Sequence, residues 1–471
     1  MSFEIPAVSR RELLARAAGG FGALALTGLL AELDSASGAT VDLDPLAPKP
    51  THFPPKAKNV IFLFMGGGVS HVDSFDPKPE LFARHNQTLT VDNYRGHLGE
   101  FKQHLKRPQW EFRKYGECGT EISDLFPHMG SVADELCVIR SMSGDHTAHY
   151  EATLGIHTGS FSFARPSMGS WVSYGLGTEN RNLPSFVVIT GVTPYAAGQI
   201  WNNDFLPGCH QGLQVVPGKT PIPNIDRLVA SSELQNVELD LLKRLNQRHQ
   251  SARADDAQLE ARIRSFETAF GMQMQAPEVF DLSGETEATL SMYGLTPGQT
   301  TGFGWQCLIA RRMVEQGVRF VECIDVGSSN NWDSHGNMLD HAPLAKNVDQ
   351  PIAGLIRDLK ARGMLDDTLV VWTTEFGRTP YMAEPDAGGR DHHHQVFSSW
   401  LAGAGVKGGM VHGASDEIGV AVADRKVHVH DFHATILHLL GLDHTRLTYR
   451  HSGRDYRLTD VHGHVVQDIL S

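Results

Sequence analysis

The chain reads as an α/β protein built on a mostly parallel sheet with helices on both faces. Two observations predict this. Continuous apolar runs recur at "NVIFLFMGGG" (59–68), "SFVVIT" (185–190), "VRFVECIDV" (318–326), "TLVVWTT" (368–374) and "SSWLAGAG" (398–405), the pattern of strands buried on both faces. Helical patterns lie between them: "FGWQCLIARRMVEQG" precedes the third run and "NVDQPIAGLIRDLKARG" the fourth, with Gly363 where a capping glycine belongs.

Residues 1–39 read as an address. Paired Arg10 and Arg11 precede an apolar run from Ala15 to Ala31 and small residues from Ser35 to Ala39, the layout of a twin-arginine export signal. The partner it implies is the twin-arginine export machinery, and the destination periplasmic or extracellular. The run is too short and too glycine-bearing for a stable membrane span, and no other stretch is long enough. Residues 40–58, rich in proline and lysine, read as a linker, and 59–471 as the α/β domain. Within it, 233–275 is a long polar helical stretch, expected as an exposed helical hairpin inserted into the sheet domain.

A formal charge of -13 argues against nucleic acid or anionic lipid as a partner. The five cysteines, Cys118, Cys137, Cys209, Cys307 and Cys323, form no CxxC pair, which excludes a zinc ribbon. Either Cys118 and Cys137, the closest pair, form a disulfide or the thiols are free and buried. The unusual count is 25 histidines.

In open α/β sheets, ligands bind beyond the carboxyl ends of the strands. After the first run come Ser70, His71, Asp73 and Asp76; after the third, Asp333 and His335; after the fourth, Glu375 and Arg378, then "GRDHHH" with His392, His393 and His394. A further polar cluster, "SGDHTAHYEATLGIHTG", follows the apolar "LCVIR" and holds His146, His149 and Glu151. Asp333, His335, Glu375 and one of the three consecutive histidines make an N/O ligand set suited to zinc or another borderline divalent ion. Asp391 or Asp340 could orient a ligand imidazole. Arg378 could instead serve as the ion-pair partner of Glu375.

"TLVVWTTEFG", "FVECIDV…WDSHG", "DHHHQVFSSWLAGAGVKGG" and "HDFHATILHLLGLD" resemble blocks of the alkaline phosphatase-like and sulfatase-like hydrolases. Within that superfamily the chain is most similar to the exported bacterial domain-of-unknown-function family 1501, over roughly residues 55–450. The resemblance implies a three-layer α/β sandwich and one or two divalent cations (zinc, manganese or calcium). It implies that Asp333, His335 and His392 or His393 hold the first metal. Glu375 stands in the place of a second-metal aspartate, and Asp73 in that of the N-terminal carboxylate. Two positions depart from the pattern. Phe376 replaces a superfamily histidine, and His149 stands where the sulfatases carry a modified cysteine or serine.

One reading joins these departures: His149 replaces the lost imidazole as a metal ligand, and a cation-activated water is the nucleophile. In others, His149 is itself the nucleophile, or a displaced serine (Ser70, Ser141 or Ser143) is. The implied activity is hydrolysis of a sulfate or phosphate ester, small-molecule or carbohydrate-borne. Arg378 would add charge to the oxyanion, and His146 and Glu151 would transfer protons. The alternative is a catalytically inactive sulfatase-like binding or structural protein of the cell envelope.

Overall fold

The computed structural model describes residues 44–94, 97–225, 232–251 and 257–471, so the export-signal reading of 1–39 lies outside the described residues. Each apolar run becomes a strand. In chain order the main sheet contains β1 (Asn59–Phe64), β2 (Leu136–Ser143), β3 (Phe186–Ile189), β4 (Leu213–Val215), β5 (Phe320–Ile324), β6 (Thr368–Thr373), β7 (Phe397–Ala402), β8 (Met410–His412) and β9 (Val427–His428). The order across the sheet is β8-β2-β7-β6-β1-β5-β3-β4, with β9 added beside β2. β1 sits between β6 and β5 and runs parallel to both, pairing Val60 with Leu369 and with Phe320. β7 alone is antiparallel to its neighbours β6 and β2.

Alternation along β1 shows why there are three layers. Ile61 and Leu63 point into one core with α5 (Phe303–Glu315) and α6 (His341–Ala361). Val60, Phe62 and Phe64 point into the other, with α1 (His149–Thr158), α2 (Met168–Leu176) and α7 (Val429–Leu439). A strand covered on both faces can be apolar at every position, which is what the sequence shows. The inserted helices are present as α3 (Ser232–Ser251) and α4 (Ala257–Phe280), the second running past the expected 275. Met272, Ala276 and Val279 of α4 join the first core.

None of the five cysteines is in a disulfide, so the disulfide alternative is not realised: Cys118 is exposed at a turn while Cys137 is buried in β2. No helix among the described residues is long and apolar enough to cross a membrane.

Candidate metal centre

The loops beyond the carboxyl ends of β1, β2, β5 and β6 converge on one edge of the sheet. Because β7 runs the other way, the segment entering it, with His392, arrives at the same edge. His392 and His393 form a two-residue strand opposite Arg378 and Gly377, so their side chains leave on opposite faces. His392 faces the converging loops, with its Nε2 3.0 Å from Asp333 Oδ1. His393 turns away, is buried, and places Nε2 2.7 Å from the Val420 carbonyl. The expectation of His393 as an alternative metal ligand is corrected by this alternation.

Asp333 is the hub. Its Oδ1 lies 2.9 Å from His335 Nε2 and accepts from Arg378 Nη2 at 2.7 Å. Its Oδ2 lies 3.1 Å from His149 Nε2, which makes no hydrogen bond. The ligand atoms of His149, Asp333 and His392 all lie within 4.8 Å of one another. His335 joins them through a 2.9 Å approach of its Nε2 to that of His392.

The opposite ring nitrogens explain this inward crowding. His149 Nδ1 is 2.7 Å from Glu375 Oε1, His335 Nδ1 is 2.9 Å from Asp391 Oδ1, and His392 Nδ1 is 2.6 Å from the Thr147 carbonyl. Each of those partners can only accept, so each Nδ1 carries the proton and donates. Three Nε2 lone pairs are therefore turned toward one carboxylate. Crowded acceptors of this kind need positive charge among them, and a cation with nitrogen and oxygen ligands fits the set.

Without a cation, protons supply that charge. Hydrogen bonding to Asp333, then to Asp391, pushes the His335 pKa up to about 9. Burial pulls His149 down, but Asp333 and Glu375 outweigh it and the net direction is up. His392 goes down, mainly through burial. Burial raises the Asp333 carboxyl, yet the three imidazoles and Arg378 hold it well below the usual carboxylate range.

Several expected residues sit elsewhere. Asp73 is fully buried, with Oδ2 accepting from Arg390 Nε at 2.7 Å and Ser70 Oγ at 2.5 Å, and Oδ1 from the Gln109 amide at 2.8 Å. With its oxygens engaged, it does not join the cluster. Glu375 accepts from the Gly67 amide at 2.8 Å and from Thr374 Oγ1 at 3.1 Å besides His149, so it stands behind the His149 ring rather than facing the cluster's centre. Arg378 is wholly buried. It is spent on Asp333 and on the carbonyls of Gly67, Gly68, Trp332 and Arg390, which leaves nothing to meet a substrate oxyanion.

Ser70 and Ser141 donate to Asp73 and to the Arg425 carbonyl, while Ser143 is buried without a partner. Asp391, rather than Asp340, stands behind His335. His146 and Glu151, 3.8 Å apart and half-exposed, line a crevice beside the cluster instead of touching it. His146 Nδ1 accepts from the Ala148 amide at 3.0 Å, so its proton is on Nε2.

The ring of Phe376 packs 4.6 Å from that of His392 and 4.9 Å from that of His149. The phenyl thus packs against both imidazoles, and the His149 ring reaches the cluster from the start of α1. Sequence reasoning missed Tyr195, stacked 4.2 Å over His149 and bonded through its hydroxyl to Asn331. No pattern connects Tyr195 to a histidine 46 residues earlier. Over the cluster opens a cleft of about 520 Å³, lined by Thr147, Ala148, His149, His335, Asp391 and His392.

No curated protein matches the chain. Among solved structures it is similar to a sulfatase from Pseudoalteromonas sp. (12% identity, 82% of this chain and 68% of that one, TM-score 0.34). Another is a protein of the alkaline phosphatase superfamily from Vibrio parahaemolyticus (11%, 86% and 72%, 0.35). A third is the alkaline phosphatase of the Antarctic bacterium TAB5 (12%, 74% and 92%, 0.29). At such identities and scores these likenesses carry no argument about activity. The family model described as "Protein of unknown function (DUF1501)" matches residues 57–470, nearly the whole of the described chain, and the protein belongs to that family.

Proposed function

We propose that the protein is a metal-dependent hydrolase of sulfate or phosphate esters, with His149, Asp333, His335 and His392 holding one divalent cation. The observation that supports it is the shared orientation of three imidazoles, Nδ1 outward on an acceptor and Nε2 inward toward Asp333. An imidazole-rich set favours zinc or manganese over calcium, which prefers oxygen ligands. Four protein ligands close a tetrahedral site, so a cation accepting five or six is needed to keep a position toward the cleft.

When bound, the cation would polarise an ester oxygen and acidify a water. The chain's own residues would do the rest. Glu375 and Asp391 hold the His149 and His335 rings, Arg378 fixes Asp333, and Tyr195 covers one face of His149 against water. His146, with its proton on Nε2, and Glu151 line the adjoining crevice and would move protons for a leaving group. Asp333, Glu375 and Asp391 offset Arg378 and a divalent cation to neutrality. Such a site serves a monoanionic sulfate ester better than a dianionic phosphate, and carbohydrate-borne sulfate suits an exported protein. Residues 1–39 would be the export signal that takes it to the periplasm or beyond.

A second reading, a metal-carrying but inactive binding protein of the envelope, is favoured by one observation: among the described residues, no lysine or arginine lines the cleft. Turnover separates the two. Metal-loaded protein should hydrolyse 4-nitrophenyl sulfate or bis(4-nitrophenyl) phosphate, and Asp333→Ala should abolish this while leaving the melting curve cooperative. Sulfate and phosphate esters left intact by fully metallated protein would overturn the hydrolase reading.

A further inference from the structure

A second group of metal-ligating side chains lies outside the centre described above. It joins two sequence segments far apart in the chain. Asp145 follows β2, and His428 and His430 stand at the start of α7, whose two parent segments, "SGDHTAHYE" and "VHVHDFHATILHLL", are both rich in histidine. β9 runs parallel beside β2, pairing His428 with Ser143, and this brings the two segments together. His428 Nε2 is 3.0 Å from Asp145 Oδ1. One ligand atom from each of Asp145, His428 and His430 falls within 4.8 Å of the others.

A second observation sets the group apart from an ordinary surface ion pair. His430 is only 8% exposed, and its Nδ1 is buried with no hydrogen-bond partner. A buried imidazole nitrogen without a partner is costly and calls for a ligand, a water or an ion. The rings of His428 and His462 each lie 5.0 Å from that of His430. A narrow crevice is lined by Asp145 and His430 together with Glu375, which backs His149 in the first centre.

We propose that Asp145, His428 and His430 form a second, weaker site for a borderline divalent transition metal such as zinc or cobalt. Two imidazoles and one carboxylate are three ligands, leaving a fourth position to water. The expected weakness has a definite origin. His428 Nδ1 now accepts a 3.3 Å hydrogen bond from the His430 amide, so its proton is on Nε2, facing Asp145. Coordination through Nε2 moves that proton to Nδ1 and gives up the capping bond. The first centre pays no such cost, since its Nδ1 protons already point outward. This site does not depend on the ester-hydrolase reading and stands or falls separately.

The test is cobalt(II) titration of the full chain, followed by visible absorption and by equilibrium dialysis with elemental analysis. Asp333→Ala/His335→Ala, which disables the first centre, should still bind close to one equivalent, more weakly than wild type. Adding Asp145→Asn and His428→Gln should remove that equivalent. Both substitutions fall on side chains that are at least partly exposed, and a cooperative melt confirms folding. Asp145→Asn/His428→Gln alone should keep the tight equivalent and lose the weak one. If the first-centre variant binds no cobalt while folded, or if its cobalt survives the added substitutions, the second site is refuted.

Discussion

His335 Nε2 and His392 Nε2 lie 2.9 Å apart, each ring fixed from behind by an acceptor on Nδ1. Two imidazole lone pairs do not approach so closely in stable isolation. The contact makes sense as an edge of a coordination polyhedron, or of a protonated cluster standing in for one.

On the proposed metal site, the acceptor behind His335 contributes to affinity as well as the ring it holds. Asp391→Asn replaces a charged acceptor with a neutral amide and frees the ring to rotate. Affinity for zinc should fall about 10- to 100-fold, as it does when such outer carboxylates are removed elsewhere. Competition with a chromophoric chelator measures this. Melting of the metal-free protein should change little.

Metal binding should release protons. The His335 pKa is raised to about 9 in the metal-free protein, so at pH 7 its proton must leave when a cation takes Nε2. Affinity should accordingly climb from pH 6 to about 9 and then flatten. The same shift has a consequence for stability. A histidine whose folded pKa is raised above 6.5 stabilises the metal-free fold below that pH, and the contribution is lost as pH rises through 9. Thermal melts of metal-free protein should thus decline across that window, and metal should abolish the decline. Zinc addition in weak buffer with a pH electrode gives the proton count.

Gly67 sets the distance between the first strand and the Asp333 loop. Its φ is +114°, a conformation other residues rarely adopt, and a Cβ there would lie 2.6 Å from the Trp332 amide nitrogen and 2.8 Å from that of Asp333. Gly67→Ala must displace backbone. The expected cost is about 1–3 kcal/mol of stability together with weaker metal binding. Chemical denaturation and chelator competition read the two effects separately.

Asp73 offers the opposite case. Its pair with Arg390 is wholly buried on both sides. Breaking such a pair from one side costs about 3–5 kcal/mol, so Asp73→Ala should lower the melting temperature steeply. Below the melt, metal content should remain that of wild type. Loss of metal at low temperature would return Asp73 to the ligand set.

Much of this was legible in the sequence. Doubly buried strands have continuous apolar runs, so β1, β3, β5 and β6 could be read directly. The direction of β7 could not, because hydrophobicity carries no polarity along the chain. Asp333, His335, His392 and His149 stood out because aspartate and histidine collect in loops beyond strand ends. Asp73 was misread for a physical reason. Its partner Arg390 lies 317 residues away, and a carboxylate after a first strand looks the same whether it awaits a cation or an arginine. Glu375 was expected as a metal ligand or as the partner of Arg378, whereas its oxygens meet His149 and the Gly67 amide. Among consecutive histidines, only strand alternation shows which one faces inward.

The central claim is that these four side chains hold a metal, and elemental mass spectrometry tests it most directly. The protein from about residue 40 onward, purified without chelators, should carry near-stoichiometric zinc or manganese that falls by one equivalent in Asp333→Ala/His335→Ala. Wild-type protein that folds, melts cooperatively and takes up no divalent ion even after incubation would contradict it.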